Sequence, residues 1–298
     1  MRVTNQMMAG SVTANLNTLR SRMADLQQQA SSGKRIEVSS DDPTAGGEVM
    51  RGQSRLQLMK QWDANLGNGK TWMRNTESAL SHMTDLLGRV KELAINATNS
   101  SVSNNDRQNM KSEVDEILKD LVDTLNTNDG DGSLFAGFNT AAIPFALDNV
   151  TGAVTYSGDN GVMQRDVGPG VSIDVNLHGN RLGTWSSSSN ILTTVWQFAQ
   201  DLANWPAGGT TSTLTDVDAG TQTLLALRAE IGAKDKRLEQ VDSRMKDAYI
   251  QLQAMLQQAQ GTEMAKTLID MNLAEMTYRV ALQVGARVVP PSLVDFLR

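Results

Sequence analysis

The 298 residues carry 27 Lys and Arg against 33 Asp and Glu, a net charge of −6 with the signs interspersed, so the basic stripe that nucleic acid or an anionic membrane surface requires is absent. There is no cysteine, which excludes disulfide frameworks, thiolate metal sites and cysteine nucleophiles. Aromatic content of only 4% beside 15 methionines favours thin helical packing over a thick round core, and no stretch approaches the roughly 20 apolar residues of a membrane span.

The opening Met1-Arg2-Val3-Thr4-Asn5-Gln6-Met7-Met8 lacks the apolar run of roughly 7 to 15 residues and the cleavage site of a secretory signal. A chain that leaves the cell is expected to do so without one. A heptad seam follows at Ala9, Val12, Leu16, Leu19, Met23, Leu26 and Ala30 and stops at Ser31-Ser32-Gly33. In the link beyond it, Asp42 is suited to accept orphan backbone N–H bonds ahead of Pro43, whose missing N–H costs nothing at the first helical position. Capping accounts for Asp41-Asp42, and no third ligand lies near to suggest a metal.

From Pro43 to about Asn96 the pattern stays helical through Val49, Leu56, Met59, Trp62, Leu66, Met73, Leu80, Met83, Leu87, Val90 and Ala94, with a bend or split expected at Gly67-Asn68-Gly69. The polar stretch from Asn99 to Asn104 predicts a turn. Ser103 or Asn105 then caps a helix carrying Met110, Val114, Ile117 and Leu121. From about Ala142 to Gly183 the period changes to two, at Ile143, Phe145 and Leu147, at Val154 and Tyr156, and at Val171, Ile173, Val175 and Leu177. This predicts a small β domain of three to five strands, near the limit of independent stability and leaning on the helical body or the helix that follows. Ser186 to Asn190 offers caps for a helix bearing Ile191, Val195, Trp196, Phe198, Ala199 and Leu202, which ends at Trp205-Pro206.

The last helix is expected to start between Leu214 and Asp218, with Asp216 as cap. A seam runs from Leu224 to Val280 in steps of three and four: Leu224, Leu227, Ile231, Lys234, Leu238, Val241, Met245, Ala248, Leu252, Met255, Ala259, Thr262, Lys266, Ile269, Leu273, Met276, Val280, weakened only at Lys234, Thr262 and Lys266. A repeat averaging about 3.5 residues keeps one narrow stripe toward one partner. Gly261, beside the weakened positions Thr262 and Lys266, predicts a bend or boundary, because a mid-helix glycine costs about 1 kcal/mol against alanine. With seams at both ends, the chain is expected to pair its termini antiparallel. The predicted fold is mainly α, a long antiparallel helical bundle or coiled coil formed by the N- and C-terminal segments, with a small inserted β domain. The expected domains are 1–42 with 258–298, 43–141 with 186–257, and 142–185.

Enzymatic chemistry has no support. The two histidines, His82 and His178, are far apart and without partners, no Gly-x-Ser-x-Gly occurs, and Gly46-Gly47 and Gly208-Gly209 lack the lysine and context of a phosphate loop. No cofactor or metal is expected.

The segments Ser31-Ser32-Gly33-Lys34-Arg35 and Ser40-Asp41-Asp42-Pro43 resemble the N-terminal signature of the flagellin family. So do Trp72-Met73-Arg74-Asn75-Thr76-Glu77-Ser78-Ala79-Leu80, Arg89-Val90-Lys91-Glu92-Leu93-Ala94 and Asp106-Arg107-Gln108. The opening Met1 to Thr4, the linker from Gly33 to Pro43, Gly132-Ser133-Leu134-Phe135-Ala136-Gly137, and the C-terminal Pro290-Pro291-Ser292-Leu293-Val294-Asp295-Phe296-Leu297 are more similar to that family's hook–filament junction subunits than to its filament-forming ones.

This resemblance implies an extracellular structural adaptor, exported through the flagellar type III apparatus. Its implied partners are the other junction protein on the hook, flagellin, identical subunits in a ring, and a cytoplasmic export chaperone. Subunit and chaperone contacts are expected at Leu16, Leu19, Met23, Leu26, Leu252, Met255, Ile269, Leu273, Met276, Val280 and Phe296. The alternatives are a filament-forming flagellin or, from another class, a secreted coiled-coil adhesin or type III tip-like protein.

Overall fold

The computed structural model describes residues 5–38, 40–99, 102–130, 132–183, 190–205 and 211–288. Among the described residues six α-helices occur in order: α1 Asn5–Ser32, α2 Pro43–Ala97, α3 Asn104–Leu125, α4 Ile191–Ala203, α5 Thr211–Gln260 and α6 Met264–Val288. Between α3 and α4 lie four short strands, β1 Phe145–Leu147, β2 Val154–Tyr156, β3 Gln164–Gly168 and β4 Val171–Asp174. The chain divides into two compact units, unit 1 of residues 1–57 with 248–298 and unit 2 of residues 58–247.

Unit 2 holds the thick core. Met73, Leu80, Met83, Leu87 and Val90 of α2 pack with Val114 and Leu121 of α3, Leu192, Val195 and Phe198 of α4, and Leu224, Ile231, Leu238 and Met245 of α5. The 224–245 part of the C-terminal seam is thus covered within the chain. Three ion pairs fix the antiparallel course of α5 along α2: Lys70 with Asp242 at 2.8 Å, Glu77 with Arg228 at 2.8 Å, and Lys91 with Asp218 at 2.6 Å. Positions rise on one helix as they fall on the other. The Lys70 ammonium holds the Asp242 carboxyl below the usual carboxylate range.

The ends of these helices follow their sequences. Ser103 and Asp106 form a reciprocal capping box at the start of α3, and the Asn190 side chain accepts the Thr193 N–H at the start of α4. Two expectations fail. Helix α2 runs unbroken through Gly67-Asn68-Gly69, where buried Leu66 and Gly69 lie on its packed side and tertiary burial outweighs glycine's propensity. Helix α5 begins at Thr211, so Asp216 lies inside it and caps nothing.

The insert forms two antiparallel hairpins, β1 with β2 and β3 with β4, the second with an irregular register between Asp166 and Gly168. Phe145 and Tyr156 face each other with ring centroids 5.0 Å apart. Phe145, Val167, Ile173, Val175 and Leu177 join the helical core. The Asn126 side chain, at the end of α3, exchanges two 2.9 Å hydrogen bonds with the Phe145 backbone. The helices complete the core of these few strands.

Because Leu80 is fully buried where α2 meets this core, Leu80→Ala should cost about 2 to 5 kcal/mol in chemical denaturation. A cost below about 1 kcal/mol would mean that the site is loosely packed.

Candidate subunit interface

Unit 1 is built from the paired helices α1 and α6, the link from α1 to α2, the start of α2 and the end of α5. On α1, Val12, Leu16, Leu19, Met23 and Leu26 repeat in steps of three and four and are all half-buried. They meet α6, which runs antiparallel: Val12 lies beside Gly285, and Lys34 bridges to Gly261 at the other end. The expected pairing of termini is present. The face that α6 offers is not the one its apolar seam suggests.

The buried positions of α6 are Thr267, Ala274 and Gly285, flanked by half-buried Met271, Tyr278 and Ala281. A Cβ on Gly285 would lie 2.8 Å from a Val12 methyl, so the helices approach to a distance that only a small residue permits. Apart from Met271 and Tyr278, the large apolar side chains point away. Ile269 is 66% exposed, Leu273 60%, Met276 64% and Val280 56%. At about 100° per residue these four fall within about 60° of arc, about 140° round the helix from the small-residue face. Both stripes have heptad spacing, and only the small one is covered by α1. Val284, Leu268, Leu282 and Met264 add further exposed apolar surface to α6.

The seam changes partner where the helix breaks. Leu252 is half-buried, but at the next step Leu256 is the inward residue, seated on Gly52 of α2 with no room for a Cβ, while Met255 is 64% exposed. Then α5 ends at Gln260. The Arg35 N–H donates to the Gln260 carbonyl at 2.7 Å and the Thr262 N–H to the Gly33 carbonyl at 3.1 Å, tying the break to the link between α1 and α2. The expectation of one stripe facing one partner from 224 to 280 is therefore corrected: the apolar seam positions of 224–245 are core, and Met255, Ile269, Leu273, Met276 and Val280 are surface.

The link is itself held from within. Gly33 takes the left-handed conformation at φ +68° that closes α1, with its N–H on the Gln29 carbonyl. Ile36 is buried, and the Asp41 carboxylate accepts the Glu37 and Val38 N–H groups at 3.1 Å each, which lowers its pKa. Asp42 accepts the Ala45 N–H at 3.1 Å as cap of α2, as its position ahead of Pro43 suggests. Among the described residues no group of three or more His, Asp or Glu is placed to hold a metal.

Of the interface residues expected from sequence, Leu16, Leu19, Met23 and Leu26 face α6, Leu252 is half-buried, and Met255, Ile269, Leu273, Met276 and Val280 are exposed. Phe296 lies outside the described residues. The small-residue face was the feature missed. Its signal is the repeat of Thr267, Ala274, Ala281 and Gly285 beside the apolar one. Gly285→Val should separate α1 from α6. The expected result is loss of amide protection over Val12 to Leu26 with unit 2 unfolding unchanged, and retained protection would contradict close approach as the basis of pairing.

Residues 3–140 match the bacterial flagellin N-terminal helical region. The chain is 27% identical to a flagellar filament 30.7 kDa core protein of Treponema maltophilum over 82% of its own length and 80% of that protein's. It is 29% identical to flagellar hook-associated protein 3 of Salmonella typhimurium, over 55% of this chain and 51% of that one. The fold is shared with hook-associated protein 3 of Legionella pneumophila, at TM-score 0.64 and 16% identity over 70% of this chain and 98% of that one. It is shared likewise with FlgL of Bacillus cereus, at TM-score 0.60 and 20% identity over 69% and 98%. The chain is thus similar to the flagellin N-terminal region over its first half, to filament and hook-associated proteins in sequence, and to hook-associated protein 3 and FlgL in fold.

Proposed function

We propose that this chain is an axial structural subunit of the bacterial flagellum, an adaptor that joins the hook, through the other junction protein, to the flagellin filament. The observation that carries the reading is the outward heptad stripe Ile269, Leu273, Met276 and Val280 on a helix whose other face is already occupied. Fully burying four such side chains is worth roughly 6 to 12 kcal/mol, of the same order as the roughly 4 to 15 kcal/mol of freedom that association removes. One neighbour covering one stripe is then marginal, and a closed ring of identical subunits, each contacting more than one neighbour, suits the balance better.

Residues 1–42 with 258–298 serve in this reading as the terminal, assembling domain, and 142–185 as an insert. The same stripe would need cover before export, which suits a cytoplasmic chaperone on α6 and the segment containing Phe296. Export would proceed without a cleaved signal. The role is non-catalytic, carried by helix–helix packing, and the subunit works outside the cell.

A filament-forming flagellin is the second reading, favoured by the likeness to a filament core protein over four-fifths of both chains. Seeded assembly separates the two. Purified chain added to hook ends is expected to stop after a ring that lets flagellin continue, whereas unlimited filaments from this chain alone would establish the second reading. Leu273→Asp, at a position 60% exposed, should leave the fold intact within about 0.5 kcal/mol and abolish ring formation. Rings formed by that variant would count against the stripe.

A further inference from the structure

We propose that the methionines on the outward surface of unit 1 form a redox modification site: hydroperoxides convert Met276, together with Met255 and Met264, to sulfoxides, and the modified subunit no longer associates. This rests on the interface reading given above. The chain has 15 methionines and no cysteine, so thioethers are its only sulfur and no thiol competes for the oxidant.

Their placement is divided. Met73, Met83 and Met245 in unit 2 are 2%, 0% and 9% exposed and Met59, Met110 and Met163 half-buried, whereas in unit 1 Met255, Met264 and Met276 are 64%, 44% and 64% exposed, as are Met7 on α1 and Met50 on α2 at 65% and 59%. Met276 sits inside the outward stripe, one step from Leu273 and one from Val280.

The chemistry balances with a hydroperoxide as the named oxidant. A sulfur lone pair attacks the outer peroxide oxygen, the S–O bond forms as the O–O bond breaks, and the departing oxygen takes up the proton and leaves as water or an alcohol. Sulfur loses two electrons and the peroxide gains them. The product puts a strong hydrogen-bond acceptor among Ile269, Leu273 and Val280, none of whose side chains can donate to it. In water the sulfoxide is solvated. Docking would strip that water and leave the oxygen unpaired, a burial penalty that the thioether never incurs. Docking should in turn close the site, so that subunits are sensitive before assembly and resistant after it.

The test uses the full chain, treated with hydrogen peroxide before or after seeded assembly and mapped by peptide mass spectrometry. Sulfoxide is expected at Met255, Met264 and Met276 well before Met73 and Met83, with loss of assembly by protein treated first and no sulfoxide at Met276 in protein assembled first. A variant combining Met255→Leu, Met264→Leu and Met276→Leu keeps side-chain volume, and should assemble after the same treatment. Unhindered assembly of chain proven to carry sulfoxide at Met276, or a Met276 unreactive while free, overturns the proposal. Failure of untreated chain to assemble overturns the interface reading and this proposal with it.

Discussion

The packing of a row of small side chains on α6 against α1 is the constraint on which the terminal unit of this protein depends. At Gly285 the helices approach closely because no Cβ projects there, and the small side chain of Ala274 is buried on the same face. Once that face is spent on α1, the rest of the helix is committed. Its large apolar residues lie about 140° away, too far round to share the same partner, so the chain leaves Ile269, Leu273, Met276 and Val280 in solvent. A helix apolar on one face and small on another has two seams, and this chain fills one.

The two units divide the physical work accordingly. Unit 2 buries Leu, Met and Phe side chains from four helices and the insert in one core and needs no neighbour to do so. Unit 1 half-buries a single stripe on α1 and holds its corner through backbone bonds between the Gly33–Arg35 link and the break at Gln260–Thr262. Burial of roughly one face per helix stands against about 1 to 2 kcal/mol of backbone ordering per residue. In the proposed assembly, other chains would add burial to unit 1.

Much of this was legible in the sequence, and the failures are instructive. The helices, the strand-like alternation of the insert and the caps at Asp42, Ser103 and Asn190 were readable because each rests on local chemistry. Strand β3 was not, since Gln164, Arg165 and Asp166 are all exposed and only Val167 turns inward. Gly67 and Gly69 suggested a bend that the packing of α2 overrides. Among the interface residues, Ile269, Leu273, Met276 and Val280 were visible as a seam, but their direction was not. A heptad of large residues gives a stripe without naming its partner, and the weaker repeat of Thr267, Ala274 and Gly285 decides which face α1 takes. That preference comes from how closely two backbones can approach, which residue hydrophobicity does not encode.

The central claim is that the α6 stripe is open in the free subunit and closed by other chains on assembly. The absence of cysteine makes a direct measurement possible: the rate of thiol alkylation of Leu273→Cys, in free and in assembled protein, with Ala274→Cys as the inward control. The account predicts fast labelling at 273 and slow labelling at 274 in the free chain, and slow labelling at both once assembled. Equal labelling at 273 before and after assembly would contradict it.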